Sequence, residues 1–134
     1  MQSVGVNHLG HFLLTNLLEP NLRKGGPSKV ITVASTAAVM TNLDMSDLMM
    51  EKATGLGLGN TMPYNNSKFA NILFSKELSK RFADSNVKSY CVCPGLARTQ
   101  VFRHYSRIPK LMMDLTLWLI GLPVDKVFCI VYFF

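Results

Sequence analysis

The chain is poor in charge: only 16% of its 134 residues are Asp, Glu, Lys or Arg. Eight acidic side chains stand against fourteen basic ones, a formal net charge of +6, and 49% of the residues are hydrophobic. That balance excludes a disordered polyelectrolyte. It permits an anionic partner without choosing among a phosphorylated cofactor, an acidic membrane surface and nucleic acid. Nucleic acid is set aside because the basic residues lack interleaved aromatics or a reader motif. Cysteine is scarce and odd in number: Cys91, Cys93 and Cys129. The first two stand two apart in a strand-like run, which aligns them on one face but suits a disulfide badly, and no Cys/His spacing resembles a zinc site. His8 and His11 lie three apart with no third ligand in view. A reducing compartment is expected, and no secretory start is visible, so secretion is not expected. Long apolar runs are missing too. Leu111 to Leu122 comes nearest, and Asp114 and Gly121, then Pro123, Asp125 and Lys126, interrupt it before it could span a bilayer.

What is present suffices for one domain with a real core. Eight methionines suit an adaptable interior or an apolar ligand. From Met1 to Leu18, Val6, Leu9, Leu13 and Leu17 recur at helical spacing, Phe12 and Leu14 widen that face, and Pro20 should limit the run. A turn-rich stretch, 21–28, leads to Lys29-Val30-Ile31-Thr32-Val33-Ala34, a short β-branched strand ending at Ser35-Thr36. Residues 41–62 are polar and mixed. Their Gly55-Leu56-Gly57-Leu58-Gly59 run follows no strand, fails the context of a phosphate loop and reads as a flexible connection. A helix over Tyr64 to about Asp84 comes next, with Phe69, Ile72, Leu73 and Phe82 in a helical rhythm and Ala70, Phe74 and Leu78 filling between them. Val87–Cys93 is a second strand, stopped by Pro94-Gly95. Strand, helix, strand in that order predicts parallel strands joined by a crossover. Beyond them a basic stretch, Arg98, Arg103, Arg107 and Lys110, precedes the apolar Leu111–Leu122. The segment 98–122 reads as a solvated helix followed by a core or lid helix, or as a segment lying on an anionic membrane. Val127–Phe134 is a further strand candidate.

The chemistry sits in Tyr64-Asn65-Asn66-Ser67-Lys68. Residues four apart share a helix face, so the phenol and the ammonium can meet over one site. A free tyrosine titrates near pH 10, too high for proton transfer at neutrality. A cation about 4 Å away favours the phenolate by roughly 4 kcal/mol at an effective dielectric near 20. A pKa unit is worth about 1.4 kcal/mol, so such a lysine would bring a phenol toward its working range. Strand ends such as Ser35 and Pro94-Gly95 are where open α/β sheets bind ligands.

Four ordered stretches make the chain resemble the short-chain dehydrogenase/reductase family, and more narrowly its retinol-dehydrogenase-like branch. They are Val6-Asn7-His8-Leu9-Gly10-His11-Phe12-Leu13-Leu14-Thr15, Val30-Ile31-Thr32-Val33-Ala34-Ser35, Tyr64-Asn65-Asn66-Ser67-Lys68-Phe69-Ala70-Asn71-Ile72-Leu73-Phe74 and Cys93-Pro94-Gly95-Leu96-Ala97-Arg98-Thr99. The resemblance implies an α/β fold, the C-terminal portion of a Rossmann-like doubly wound parallel sheet without the first βαβ unit, as a single partial domain over 1–134. The family's glycine-rich phosphate loop and its Asn-Asn-Ala-Gly strand end precede the matched part and are not in this sequence. The resemblance further implies hydride transfer between NAD or NADP and a lipophilic alcohol or carbonyl such as a retinoid. Tyr64 would be the general acid/base, Lys68 would support its ionisation and hold the nicotinamide ribose, Ser35 would bond the reacting oxygen, and Asn7 would hold a relay water. Pro94, Gly95 and Thr99 would border the nicotinamide carboxamide. Helices 7–18 and 67–81 would form a homo- or heterodimer face. Relatives of this kind act on lipids, which implies the cytoplasm or the cytosolic face of the endoplasmic reticulum with peripheral membrane contact. Without the phosphate loop, the chain alone is expected to hold the dinucleotide weakly or not at all. The competing reading is an inactive chain that retains only the family's packing surfaces and acts as an interaction partner.

Overall fold

A computed structural model of the chain describes residues 2–41, 43–47, 61–95, 107–121 and 130–133. In order, these form a short helix α1 (Gln2–Val4), a π-helical turn (Gly5–Leu9), α2 (Gly10–Lys24), β1 (Ser28–Val33), a 3-10 turn (Thr36–Met40), a second 3-10 turn (Met45–Asp47), α3 (Met62–Arg81), β2 (Val87–Cys93), α4 (Arg107–Ile120) and β3 (Ile130–Phe133). They fall into two compact units, Met1–Cys93 with Val131–Phe134, and Pro94–Ile130. The glycine run 55–59, Thr99 and Cys129 lie outside the described residues.

In the first unit, β1 and β2 pair in parallel from Ser28↔Val87 to Val33↔Val92. Parallel neighbours cannot be joined by a tight turn, and the connection here carries α3, a mixed α/β arrangement consistent with part of a Rossmann-like fold. The ladder is extended at both ends, by Ser28 N–H donating to Asn86 O (3.0 Å) and Ala34 N–H donating to Val92 O (2.8 Å). β3 lies on the other side of β2, so the sheet order is β1-β2-β3. Alternation sorts the faces as the period of a strand requires. Val87, Ser89, Cys91 and Cys93 are buried on one face of β2, with Thr32 beside Cys91 on β1. The other face of β1 leaves Ile31 and Val33 exposed.

Helix α3 packs on that buried face. Pro63 in its first turn suits the fixed φ and lost N–H of that position, and Lys80 and Arg81 in the last turn complement the helix dipole. Its buried stripe takes Phe82 and the residues that fill the predicted pattern. Ala70, Phe74, Leu78 and Phe82 are buried, whereas Leu73 is exposed. Spacing by fours selects the row that faces the sheet, and sequence periodicity alone could not tell that row from its neighbour. Phe74, Leu78, Phe82 and Val87 form a core cluster, closed by Leu22 and Val30. Each such large side chain contributes about 1.5–3 kcal/mol by leaving water.

Two expectations for the first helix are corrected. Pro20 lies inside α2, which continues to Lys24. The missing N–H costs one bond, and side-chain ties hold the turn beyond it. Glu19 pairs with Arg23 (2.9 Å) and with Arg81 of α3 (2.7 Å), Arg23 also donates to Arg81 O (3.1 Å), and its guanidinium lies 4.8 Å from the Phe82 ring centroid. The leucine face expected to be buried is open: Val6, Leu9, Leu13 and Leu17 are all exposed. In the second unit, α4 exposes Leu111, Leu115, Trp118 and Leu119, one helical stripe. No helix among the described residues is long and apolar enough to cross a membrane.

Candidate active site

The predicted site residues of the first unit gather where β1 ends against the first half of α3. Because β1 and β2 run parallel and end level, with Val33 beside Val92, both carboxyl ends open on the same edge. Tyr64 and Lys68 lie one turn apart, half-buried, with the Lys68 Nζ 5.7 Å from the Tyr64 ring centroid. The same Nζ donates to the Val33 carbonyl at 3.1 Å. An ammonium has three donors, so one fixes the side chain to the strand end and two remain for a ligand's hydroxyls. Ser35 follows two residues after Val33, with extended backbone, and caps the 3-10 turn by accepting from Ala37 N–H at 3.2 Å. Accepting that bond leaves its own hydrogen to donate outward. The turn it caps packs against α3.

Asn7 arrives from the π-helical turn, which closes through Gly10 N–H donating to Gly5 O. Such turns are rare and recur at functional sites. Its side-chain Nδ2 donates to Ser67 Oγ (3.1 Å), and Ser67, fully buried, donates to the Tyr64 carbonyl (2.7 Å). Asn71 Nδ2 donates to both the Asn7 carbonyl (3.0 Å) and the Val33 carbonyl (3.2 Å), while its Oδ1 meets His8 Nδ1 at 3.1 Å. The structure therefore joins Asn7, Tyr64 and Lys68 in one bonded network whose strand anchor is Val33, two residues before Ser35.

Burial lowers the Lys68 pKa from the ordinary lysine value, against the pull of the neighbouring Cys91 and Cys93, which raises it. Burial likewise raises that of the Cys91 thiol, helped by Cys93 and opposed by Lys68. Both shifts describe a weakly solvated space behind the ammonium. Farther along the 3-10 turn, Asn65 Nδ2 donates to Met40 O (3.3 Å) and Thr41 Oγ1 makes a short bond to Asn66 Oδ1. The buried Asn66 Nδ2 has no hydrogen-bond partner among the described residues.

Not every predicted residue joins this network. Pro94 and Gly95 begin the second unit directly after β2, Gly95 with φ +75, a conformation that costs a residue with a side chain. Thr99 is outside the described residues. The histidines are used by the protein: His8 by Asn71, and His11 Nδ1 by the Asn7 carbonyl at 3.1 Å. Among the described residues no three His, Cys, Asp or Glu side chains gather as a metal site would require. A cavity of about 390 Å³ lined by Ser79, Phe82, Ala83 and Val87–Tyr90 lies at the starting end of β2. Open α/β sheets bind ligands at the opposite end.

Sequence reading missed Ser67, Asn71 and His8. Asn71 carried a visible signal, a single amide inside the apolar run Phe69-Ala70-Asn71-Ile72-Leu73-Phe74, where a buried polar group needs partners. The identity of those partners, two carbonyls more than thirty residues away, had no local signal.

No family profile matches the chain. It is 43% identical over 103 residues to retinol dehydrogenase 12 from Homo sapiens, covering 77% of this chain and 31% of that protein. It is 40% identical over 122 residues to retinol dehydrogenase 11 from Mus musculus, covering 91% and 37%. Retinol dehydrogenase 13 from Homo sapiens is 44% identical over 100 residues, with 75% and 29% covered. The chain thus spans about a third of the length of the curated relatives it matches. Among solved structures, an uncharacterized protein from Mycobacterium paratuberculosis superposes with a TM-score of 0.60 at 31% identity, covering 89% of this chain and 41% of that one. Over the stretch it spans, the chain is a homologue of part of the retinol dehydrogenases, which are members of the short-chain dehydrogenase/reductase family.

Proposed function

We propose that this chain carries the catalytic part of an NAD(P)-dependent oxidoreductase that interconverts a lipophilic alcohol and its carbonyl, a retinoid being the model substrate. The observation that carries the reading is the Lys68 ammonium, pinned to the end of β1 and set beside the Tyr64 ring. The nicotinamide, when bound, supplies the hydride. Tyr64 gives or takes the proton at the substrate oxygen, Ser35 donates to that oxygen through its remaining hydrogen, and Lys68 stabilises the phenolate and holds the ribose. Asn7, tied to the Tyr64 turn through Ser67, keeps a relay water in line. The residues fit the ribose end of the cofactor, where donors are wanted. They do not fit its phosphates equally, because no glycine-rich strand-to-helix turn occurs among the described residues. Pro94, Gly95 and Thr99 would border the carboxamide.

Exposed leucines support two further parts of the reading. Leu13 and Leu17 on α2 and Leu73 on α3 suit a dimer face through helices 7–18 and 67–81. The apolar stripe of α4, preceded in sequence by Arg98, Arg103, Arg107 and Lys110, suits peripheral contact with an anionic membrane such as the cytosolic face of the endoplasmic reticulum.

The test is turnover of all-trans-retinal by the purified chain, with NADH and NADPH each supplied well above the range a complete site would need. Turnover that Tyr64→Phe lowers roughly a hundred- to ten-thousandfold supports the reading. Absence of turnover with both cofactors, while the fold is intact by circular dichroism, refutes catalysis by this chain and leaves the interaction-partner alternative. Reduced nicotinamide mononucleotide, which lacks the adenosine half, should bind about as tightly as the dinucleotide. Micromolar binding of the dinucleotide alone would show a phosphate site.

A further inference from the structure

We infer that Asn71 is the positioning residue of this site: one buried amide that fixes the Asn7 carbonyl, the acceptor of Lys68 and the tautomer of His8 in a single arrangement. The inference deepens the oxidoreductase reading and rests on it for its catalytic part. Asn71 is 3% exposed and sits on α3 one helical step beyond Lys68. Its orientation follows from its partners. The carbonyls of Asn7 and Val33 can only accept, so the NH₂ group must face them, and it spends one N–H on each. The Oδ1 is thereby turned to His8 Nδ1. An amide oxygen can only accept, so Nδ1 of His8 carries its proton, and in the neutral ring Nε2 is the open acceptor.

Three elements meet at this amide: the π-helical turn with Asn7 and His8, the end of β1 before Ser35, and α3 with Tyr64 and Lys68. Val33 O is shared, taking Asn71 Nδ2 at 3.2 Å and Lys68 Nζ at 3.1 Å. A shared acceptor holds the ammonium and the amide side by side, so displacement of Asn71 removes the neighbour that defines the direction of Lys68. The His8 and Phe74 rings stand nearly perpendicular, 6.0 Å between centroids, a contact that restrains the imidazole beside the amide. None of these bonds touches a substrate. Asn71 acts through Asn7 and Lys68.

Two measurements on the full chain test this. Long-range ¹H–¹⁵N NMR reads the neutral His8 tautomer without any turnover. A protonated-type shift at Nδ1 with an unprotonated-type shift at Nε2 is expected in the wild type, and the Nε2–H tautomer there overturns the assignment even if Asn71→Ala fails to fold. In the turnover assay, Asn71→Ala should lower kcat on the order of a hundredfold, the scale of a misplaced catalytic group, with KM within about twofold. Ser75→Ala, one turn along the same helix and bonded to Ser89 at 2.9 Å, serves as the packing control and should leave kcat and the His8 tautomer unchanged. A drop in kcat equal in both variants means a structural role only and overturns the proposal. If the wild type does not turn over, the oxidoreductase reading falls, and the tautomer still decides whether the amide is arranged as stated.

Discussion

Replacing Ser67 with alanine tests the joint between the first helical segment and the turn that carries Tyr64. The hydroxyl is fully buried, accepts from Asn7 Nδ2 at 3.1 Å and donates to Tyr64 O at 2.7 Å. Each bond has a net worth of about 0.5–1.5 kcal/mol. The Tyr64 carbonyl keeps its helical partner, so its loss sits at the low end of that range. Asn7 is half-buried, and water can reach part of its abandoned NH₂, which holds the penalty below that of a fully sealed donor. The sum for Ser67→Ala is about 1.5–2 kcal/mol. With a urea dependence near 1.5 kcal/mol per molar, typical of a small chain, the unfolding midpoint should fall by about 1 M. Asn7→Ala removes the same cross-link from the other side, so the double variant should be less destabilised than the two singles combined, by about 1 kcal/mol. Circular dichroism during urea titration reads all four proteins. Strict additivity, or a Ser67→Ala loss below about 0.3 kcal/mol, would show that the hydroxyl is not the tie described.

Two other outcomes follow from the packing and the charges. Phe82→Ala should cost about 3–5 kcal/mol, since the ring is 1% exposed in the core cluster and also carries the Arg23 guanidinium; thermal melts showing a loss under 1 kcal/mol would contradict that core. At alkaline pH the signs oppose. Lys68 has a folded-state pKa below its unfolded value of 10.5, so the unfolded chain binds more protons in between and this term makes stability rise with pH up to about that value. Cys91 has a folded-state pKa above its unfolded value of 9.0, so the folded chain retains the proton and this term makes stability fall as pH climbs past 9.0. Lys68→Met should therefore steepen the alkaline decline and Cys91→Ala should flatten it, both read by urea midpoints between pH 8 and 11.

Much of the local architecture was legible from residue pattern. The β-branched run 29–34 and the segment 87–93 became β1 and β2, the intervening helix formed, and Ile130–Phe133 became a strand within the predicted 127–134. The Tyr64–Lys68 pairing was legible because four-residue spacing is a property of the helix itself. The shared face of Cys91 and Cys93 followed from the period of a strand, and both are buried. What failed to read was anything decided by a distant partner. Pro20 does not stop α2 because Arg81, more than sixty residues away, braces Glu19. The polar part of the buried face of α3 did not read either, because Asn65, Asn66, Ser67 and Asn71 look like surface residues and are interior ones, each buried to within 3%. The buried face is mostly polar from Asn65 to Asn71, with Ala70 among the amides, and mostly apolar from Phe74 to Phe82, and an average over its length conceals that division.

The register of the two parallel strands has a consequence for how the molecule comes into being. Ser28 meets Val87, and every later rung keeps the same offset of 59 residues (28 to 87). Nothing in this ladder can zip from a hairpin, so β1 must wait, with Val30 and Thr32 uncovered, until α3 has been synthesised and has swung the second strand alongside. On the ribosome that interval is several seconds at ordinary elongation rates, roughly 5–20 residues each second, and it is then that a chaperone would find the most to hold.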